Sequence, residues 1–474
     1  MRKLALLVCL GAAATAVAAD RPNVLFIAVD DLNDWIEPLG GHPQAKTPNF
    51  ARLARQSTLF ARAYTASPSC NPSRAALMTG VAPYRSGVYS NNQAWRPAMP
   101  DAVTIPQAFR RNGYWAGGSG KIYHGVYPDP QSWDEYWPSK RVQREQDPVP
   151  AVRPANGIQG TGNFDWGPLS VASEEMSDAK VVDWVIERLH DPHDKPFFLA
   201  CGIFRPHLPW YVPERYFLRF PIDSVQLPPM FDGDLADVPQ AGVRMARPER
   251  DHARVVEHGQ WKRAVQAYLA SISFVDGLLG RVLDAIDESG HAANTIIVLW
   301  GDHGWHLGEK RHWRKFALWE EATRVPLFFA APPGTPGLPE GTKPGVVSHR
   351  PVSLMDVYPT LLDLAGLGSG EGLDGRSLVP LLRDPEAAWT PAVITYRRMN
   401  HAVRSDDYRY IRYADGSEEL YDHRVDPMEW TNLAGDEKYA GAKESLARWL
   451  PDVNAPEAPE QPSDRRTNEV AVPE

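Results

Sequence analysis

The sequence predicts an α/β fold: a large, mostly parallel central sheet with helices on both faces, followed by a smaller C-terminal subdomain with a short antiparallel sheet. Three observations carry this. Continuous apolar runs of strand length recur along the chain, amphipathic helical patterns lie between them, and polar residues gather just past the carboxyl ends of the runs. A chain of 474 residues, 43% hydrophobic and 23% charged, has the make-up of a globular protein with a sizeable core, not of a disordered or fibrous one.

In chain order, residues 1–19 read as a signal peptide. Arg2 and Lys3 precede the apolar run 4–10, and Ala16-Val17-Ala18 or Val17-Ala18-Ala19 offers a cleavage site. A lipoprotein anchored through Cys9 fits less well, because Val8 before it is not small. No later run reaches the roughly eighteen apolar residues of a membrane span, so the mature chain is expected to be periplasmic or secreted, with no membrane span. Residues 23–29, ending in Asp30-Asp31, have the texture of a strand buried on both faces, and so do 197–203, 295–300 and 325–331. Between them Val181, Trp184, Val185 and Leu189 recur at helical spacing. So do Val265, Leu269, Ile272, Val275, Leu279, Val282 and Ile286, with Gly290 placed to stop that helix.

Two stretches, 125–170 and 206–258, are rich in Pro, Asp and Trp and are expected to form loops walling a site. A helix past Tyr358 ends near Gly366. We place a larger α/β domain at 20–375 and a smaller α+β subdomain with its tail at 376–474, where residues 408–413 alternate as a small antiparallel sheet would. The Pro- and Glu-rich tail after Leu450 is expected to wrap or fray.

A net charge of −9 without long like-charge blocks argues against nucleic-acid binding, but it leaves room for a local cationic pocket. The 16 tryptophans and 17 tyrosines suit carbohydrate stacking as well as core packing, and core packing is the commoner use. Once Cys9 is removed, two cysteines remain. Cys201 lies in an apolar run and reads as buried, whereas Cys70 opens a helix in a polar turn.

The segment Cys70-Asn71-Pro72-Ser73-Arg74-Ala75-Ala76-Leu77-Met78-Thr79-Gly80 is the sharpest signal. A thiol in the first turn of a helix meets free backbone N–H groups and the positive end of the dipole, and the same N-terminus suits a tetrahedral anion. Arg74 falls one turn on, facing the same pocket. Asp30-Asp31 and Asp302-His303 both follow buried strands. Three carboxylates converging there would repel without a hard divalent cation, although Asp30-Asp31 alone could simply cap a helix.

With this segment the chain resembles the type I sulfatases of the alkaline phosphatase superfamily, whose signature runs Cys-x-Pro-Ser-Arg, three residues, then Leu or Met, Thr and Gly. The resemblance implies that Cys70 is oxidised to formylglycine by a maturation enzyme. Its hydrate would attack sulfur with one hydroxyl and expel sulfate with the other. It also implies that Asp30, Asp31, Asp302 and His303, with residue 70, ligate Ca2+, or Mg2+ in its place. Many members carry Asn at the place of His303, and an imidazole is softer than calcium prefers. Lys121 in Gly120-Lys121-Ile122-Tyr123-His124 matches the lysine that grips sulfate, and His124 the histidine that steadies the hydrate. A Lys-x-x-His pair by itself is a common solvated turn. His207, in Arg205-Pro206-His207, would protonate the leaving oxygen or bind sulfate. Lys315, beside Arg314 and Arg311, takes the place of the second sulfate-binding lysine.

The segments 302–305, 322–327, 205–207 and Leu420-Tyr421-Asp422 look most like the iduronate-2-sulfatase branch. That branch implies an exo-acting enzyme on a sulfated oligosaccharide or polysaccharide. Trp95, His312, Trp319 and His401 are candidates for sugar contacts from their aromatic or basic character. Three other readings stay open. One is a phosphomonoester, phosphodiester or phosphonate hydrolase of the same superfamily, for which only one metal set is visible. The second is an inactive sulfated-glycan-binding protein. The third is a cysteine hydrolase with His124 or His207 as base, which leaves Pro72-Ser73-Arg74 and the carboxylates unexplained.

Overall fold

The computed structural model describes residues 21–368 and 370–460, so the expected signal peptide and the end of the tail lie outside the described residues. Eight strands form the central sheet: Asn23–Val29 (β1), Thr58–Phe60 (β2), Trp115–Gly120 (β3), Glu135–Trp137 (β4), Phe197–Ile203 (β5), Thr295–Gly301 (β6), Leu327–Ala330 (β7) and Val346–Ser348 (β8). Their order is β8-β2-β7-β6-β1-β5-β3-β4. β1 is central and pairs in parallel with β5 and β6. The sheet is parallel except for β7, which runs antiparallel to both β6 and β2.

The helices that cover the sheet are Pro48–Gln56 (α1), Cys70–Thr79 (α2), Ile105–Arg111 (α3), Ser177–His190 (α4), Trp261–Glu288 (α5) and Val357–Leu364 (α6). Because side chains alternate along β1, it feeds two cores. Leu25, Ile27 and Val29 pack with Val181 and Val185 of α4 and with Ile272 and Leu279 of α5. Val24, Phe26 and Ala28 pack with Leu77 of α2, Phe109 of α3 and Leu361 of α6. Each such fully buried Val, Leu, Ile or Phe side chain contributes about 1.5–3 kcal/mol. The doubly wound pattern read from the apolar runs is therefore the observed one, down to the stop at Gly290, where φ is +79°.

The stretch expected to be a loop at 125–170 departs from expectation by supplying the edge strand β4. Its Trp166–Leu169 pairs in parallel with Trp210–Pro213 of the second stretch. Apolar burial drives this. Trp166 and Trp210 lie 5.6 Å apart, Trp166 stacks on Trp313 at 6.4 Å, and Trp210 is fully buried. The abundant tryptophans serve packing in large part.

The C-terminal sheet is Ala392–Thr395 (β9), His401–Arg404 (β10), Tyr408–Arg412 (β11) and Glu418–Asp422 (β12), antiparallel throughout. It is tied to the larger part by buried ion pairs from Arg404 and Arg409 to Glu320, and by the Thr395 N–H donating to the Ala66 carbonyl at 2.9 Å. The described tail wraps: the Ala455 and Ala458 N–H groups donate to Tyr84 and Gly87 carbonyls, each at 2.8 Å. No helix among the described residues is long and apolar enough to cross a membrane.

Candidate active site

The carboxyl ends of β1, β5 and β6 meet, as crevices in such sheets do. The Asp30 N–H donates to the Ile203 carbonyl at 3.1 Å and the Asp302 N–H to the Val29 carbonyl at 3.3 Å. This register places Asp30, Asp31 and Asp302 side by side. Asp31 adopts a left-handed backbone (φ +58°), an uncommon conformation for a non-glycine residue that recurs at functional sites. The turn is pinned by Oδ1 of Asp302, which accepts from the N–H groups of Asp31 and His303 at 3.0 Å each. Tyr268 of α5 donates its hydroxyl to the Asp31 carbonyl at 2.7 Å.

Helix α2 begins with Cys70 itself and is buried along its whole length. Oδ1 of Asn91 holds its entry, accepting from the Ser69 hydroxyl and the Asn71 N–H at 2.9 Å each. One turn on, Arg74 spends its donors inside the protein. Its Nε lies 2.9 Å from Asp302 Oδ2 and a terminal nitrogen 3.0 Å from Asp30 Oδ1, and the guanidinium also donates to the carbonyls of Lys121 and Ile122. Ser73 adds a 2.6 Å bond to the Asp302 carbonyl. The signature thus welds its own helix to the strand ends.

Beyond β3 the chain turns sharply at Gly120 (φ +79°), where a Cβ would stand 1.9 Å from the Gly202 carbonyl oxygen. Only paired glycines allow this approach, which carries Lys121 inward. Nζ of Lys121 lies 2.6 Å from Asp30 Oδ2 and 3.8 Å from Cys70 Sγ. Oε1 of Gln143 accepts from the Ile122 and Tyr123 N–H groups at 3.2 and 3.0 Å, setting the turn that brings His124 to hydrogen-bond the thiol. Nζ of Lys315 sits 2.9 Å from Cys70 Sγ and 2.8 Å from Asp31 Oδ1, and His303 Nε2 is 3.3 Å from the sulfur. His207, after β5, is partly exposed; its Nε2 lies 4.0 Å from Asp31 Oδ2, and Nδ1 meets the Leu208 carbonyl at 2.6 Å.

The electrostatics follow from this crowding. Burial alone would raise the Cys70 thiol, but Lys121, Lys315 and His303 outweigh it and hold the thiol well below its ordinary value. Cys201, equally buried but without cations beside it, is pushed up. Neither cysteine is in a disulfide. Burial would also raise Asp30, yet Lys121 and Arg74 keep it far below the usual carboxylate range.

The donor set suits a divalent cation. Ligand atoms of Asp30, Asp31, Cys70 and His303 all lie within 4.8 Å of one another, and Asp31 Oδ2 is a buried oxygen without a hydrogen-bond donor. Asp302 stands just behind this group, its oxygens already engaged by Arg74 and two backbone amides. The cations Arg74, Lys121 and Lys315 do no more than balance the three carboxylates, so an anion entering the site needs a further positive charge.

Four candidates for sugar contact are placed inside protein. Trp95 is 1% exposed, stacked on Tyr123 at 5.3 Å, and donates its indole N–H to the Tyr127 carbonyl. Trp319 is 1% exposed and donates to Glu419. Rings covered on both sides offer no stacking platform. His312 bridges the carbonyls of Ala246 and Lys315, which makes it a buttress of the Lys315 loop, and His401 is held between Thr395 and Asn454. A separate groove of about 690 Å³, lined by Leu227, Met230, His252, Trp261 and Arg311, touches none of the candidate catalytic residues. Sequence reasoning missed Tyr268, Gln143 and Asn91. Tyr268 sits on a helical apolar stripe and the other two in loops, so nothing local marks them.

A family model described as Sulfatase matches residues 22–367, and one described as N-sulphoglucosamine sulphohydrolase, C-terminal, matches 301–455. A "Sulfatase" of Formosa agariphila is 42% identical over 454 residues, spanning 92% of this chain and 87% of that protein. Iduronate 2-sulfatase of Homo sapiens is 32% identical over 385 residues, spanning 73% of this chain and 70% of its own. Among solved structures, BT4656 in complex with its substrate D-glucosamine-2-N,6-O-disulfate superimposes with a TM-score of 0.72 at 22% identity, covering 90% of this chain and 96% of that one.

Proposed function

The chain belongs to the sulfatase family, and from that premise we propose that it is an exported enzyme releasing sulfate from the end of a sulfated oligosaccharide or polysaccharide, with residue 70 acting as formylglycine. The observation that carries the reading is the thiol of Cys70 at a helix N-terminus, 2.9 Å from Lys315 Nζ and 3.3 Å from His303 Nε2, in contact with carboxylates that suit a cation. The signal peptide read at 1–19 supports export. The iduronate 2-sulfatase relative and the neighbour bound to a disulfated glucosamine support a sugar substrate.

The hydrate of formylglycine supplies the attacking oxygen and, by returning to aldehyde, the means of releasing sulfate without attack by water. A divalent cation held by Asp30, Asp31, His303 and residue 70, with Asp302 behind them, would neutralise charge on the sulfate oxygens. Calcium or magnesium fits the carboxylates, and the imidazole leaves the choice between them to experiment. Lys121, just past β3, and Lys315, in the loop after Arg314, converge on residue 70 and would grip the sulfate oxygens. His124 would orient the hydroxyl pair, and the partly exposed His207 would hand a proton to the leaving sugar oxygen. Arg74 touches no solvent and acts by fixing Asp30 and Asp302.

The mass of the residue 70 peptide from the native producer is the first test, and formylglycine is expected. Sulfate release by a Cys70→Ala variant would overturn the mechanism. Faster turnover of an aryl phosphate than of an aryl sulfate would favour the phosphoester reading instead.

A further inference from the structure

His207 enters the site with little of its own to fix it. It is partly exposed, and among the described residues the one hydrogen bond of its side chain is local, from Nδ1 to the carbonyl of Leu208 at 2.6 Å. A carbonyl only accepts, so Nδ1 carries the proton of that bond, and Nε2, 4.0 Å from Asp31 Oδ2, is the nitrogen turned to the site. A bond to the next residue does not by itself set the plane of the ring. Phe204 does so by contact: the two ring centroids lie 4.5 Å apart, tilted by 35°.

Phe204 is in turn backed by a cation. The guanidinium of Arg144 lies 3.6 Å from the centroid of its ring, a separation that puts it over the ring face. With the imidazole 4.5 Å from the same centroid, one face has no room for both, so Phe204 is held between them. Arg144 is pinned by a terminal nitrogen that donates to Ser177 Oγ at 3.0 Å and to Asp147 Oδ2 at 3.1 Å. Asp178, in the first turn of α4, accepts from the N–H groups of Phe204 and Arg205 at 2.8 and 2.9 Å, which fixes the backbone beneath the ring. Gln143 and Arg144 are consecutive. The first sets the turn that brings His124 to the thiol, and the second backs the ring that covers His207. One loop thus supports both histidines of the site.

We propose that Phe204, backed by Arg144, is a positioning residue that holds the His207 ring so that Nε2 meets the leaving oxygen of the sugar. The proposal rests on the reading of His207 as proton donor. As the S–O bond breaks, its electron pair stays on the sugar oxygen, which takes the Nε2 proton and departs as an alcohol. A good leaving group such as 4-nitrophenolate departs without that proton, so a misplaced ring harms poor leaving groups selectively.

The test compares 4-nitrophenyl sulfate with phenyl sulfate in wild type, Phe204→Leu, Arg144→Ala, Arg144→Lys and His207→Ala. Phe204→Leu and Arg144→Ala are expected to lower kcat on phenyl sulfate at least tenfold, with kcat on 4-nitrophenyl sulfate within twofold. Arg144→Lys, which keeps a cation over the ring, should recover part of the loss, and His207→Ala should show the same split. The partly exposed Arg144 carries the comparison if Phe204→Leu does not fold. Unchanged constants in the Phe204 and Arg144 variants, or equal losses on both esters, would overturn the proposal. Equal losses would move the effect of the ring to Lys121, whose Nζ stands 5.0 Å from its centroid. A split seen in His207→Ala alone overturns the proposal and leaves the reading of His207 standing. A His207→Ala variant that loses no more on phenyl sulfate than on 4-nitrophenyl sulfate overturns both. So does formylglycine-bearing wild type that cleaves neither ester, or only the nitrophenyl one.

Discussion

Arg74 and Asp302 are joined by a 2.9 Å ion pair, Nε to Oδ2, with neither side chain exposed to solvent. They lie 228 residues apart, and the pair ties the signature helix to the end of β6. The same guanidinium reaches Asp30 at the end of β1. One residue therefore sets the relative position of the nucleophile and of two carboxylates.

Removing that tie strips the buried Asp302 of its guanidinium and leaves Asp30 with Lys121 alone. Arg74→Ala is expected to lower the unfolding free energy by about 3–5 kcal/mol. Arg74→Lys, which keeps the charge but loses the fork, should also fail to restore sulfate release. Denaturant titration followed by circular dichroism reads the first effect. An Arg74→Ala midpoint equal to wild type would show that the pair holds nothing together.

Cation binding should be visible without turnover. Titrating calcium into chelator-treated protein is expected to raise the melting temperature, by the equivalent of about 2.7 kcal/mol when the free ion reaches one hundred times its dissociation constant. Asp31→Asn should weaken this response, since Asp31 brings to the cluster a buried oxygen without a donor. A melting temperature indifferent to calcium and magnesium alike would argue against a divalent site at Asp30, Asp31 and His303.

His401 provides a stability readout remote from the chemistry. Burial, with Arg412 nearby, lowers its pKa from 6.5 to about 4 against the hydrogen bond that its Nε2 donates to Asn454 Oδ1. Between those values the unfolded chain binds a proton that the folded chain refuses, so this residue makes stability fall as pH drops from 6.5 to 4. The loss is at most about 3 kcal/mol. His401→Gln should flatten that limb of the stability profile. An unaltered acid limb in thermal melts from pH 4 to 7 would mean that His401 is protonated in the folded state.

Much of the fold was legible because its signals are local. A run such as Asn23–Val29 is apolar at every position, and only a strand covered on both faces buries all of it. The helix Trp261–Glu288 declares itself by spacing and by the glycine that follows it. The signature at 70–80, Asp30-Asp31 at the end of β1 and Asp302-His303 at the end of β6 were legible for the same reason, since each is a short segment with its own chemistry. The edge strand Glu135–Trp137 was not, because three residues lent to a sheet edge are stabilised by Gly117–Ser119 and carry no pattern of their own.

The sequence by itself determined the family, the sheet-and-helix order and the segments from which the site is drawn. These depend on side-chain type and on spacing along the chain. The tertiary structure alone decided that Trp95 and Trp319 are packed inside the protein, and that Gln143 and Tyr268 hold the site from a loop and a helix. Those outcomes depend on which surfaces compete for burial and which donors find acceptors hundreds of residues away, and no local pattern encodes such a pairing.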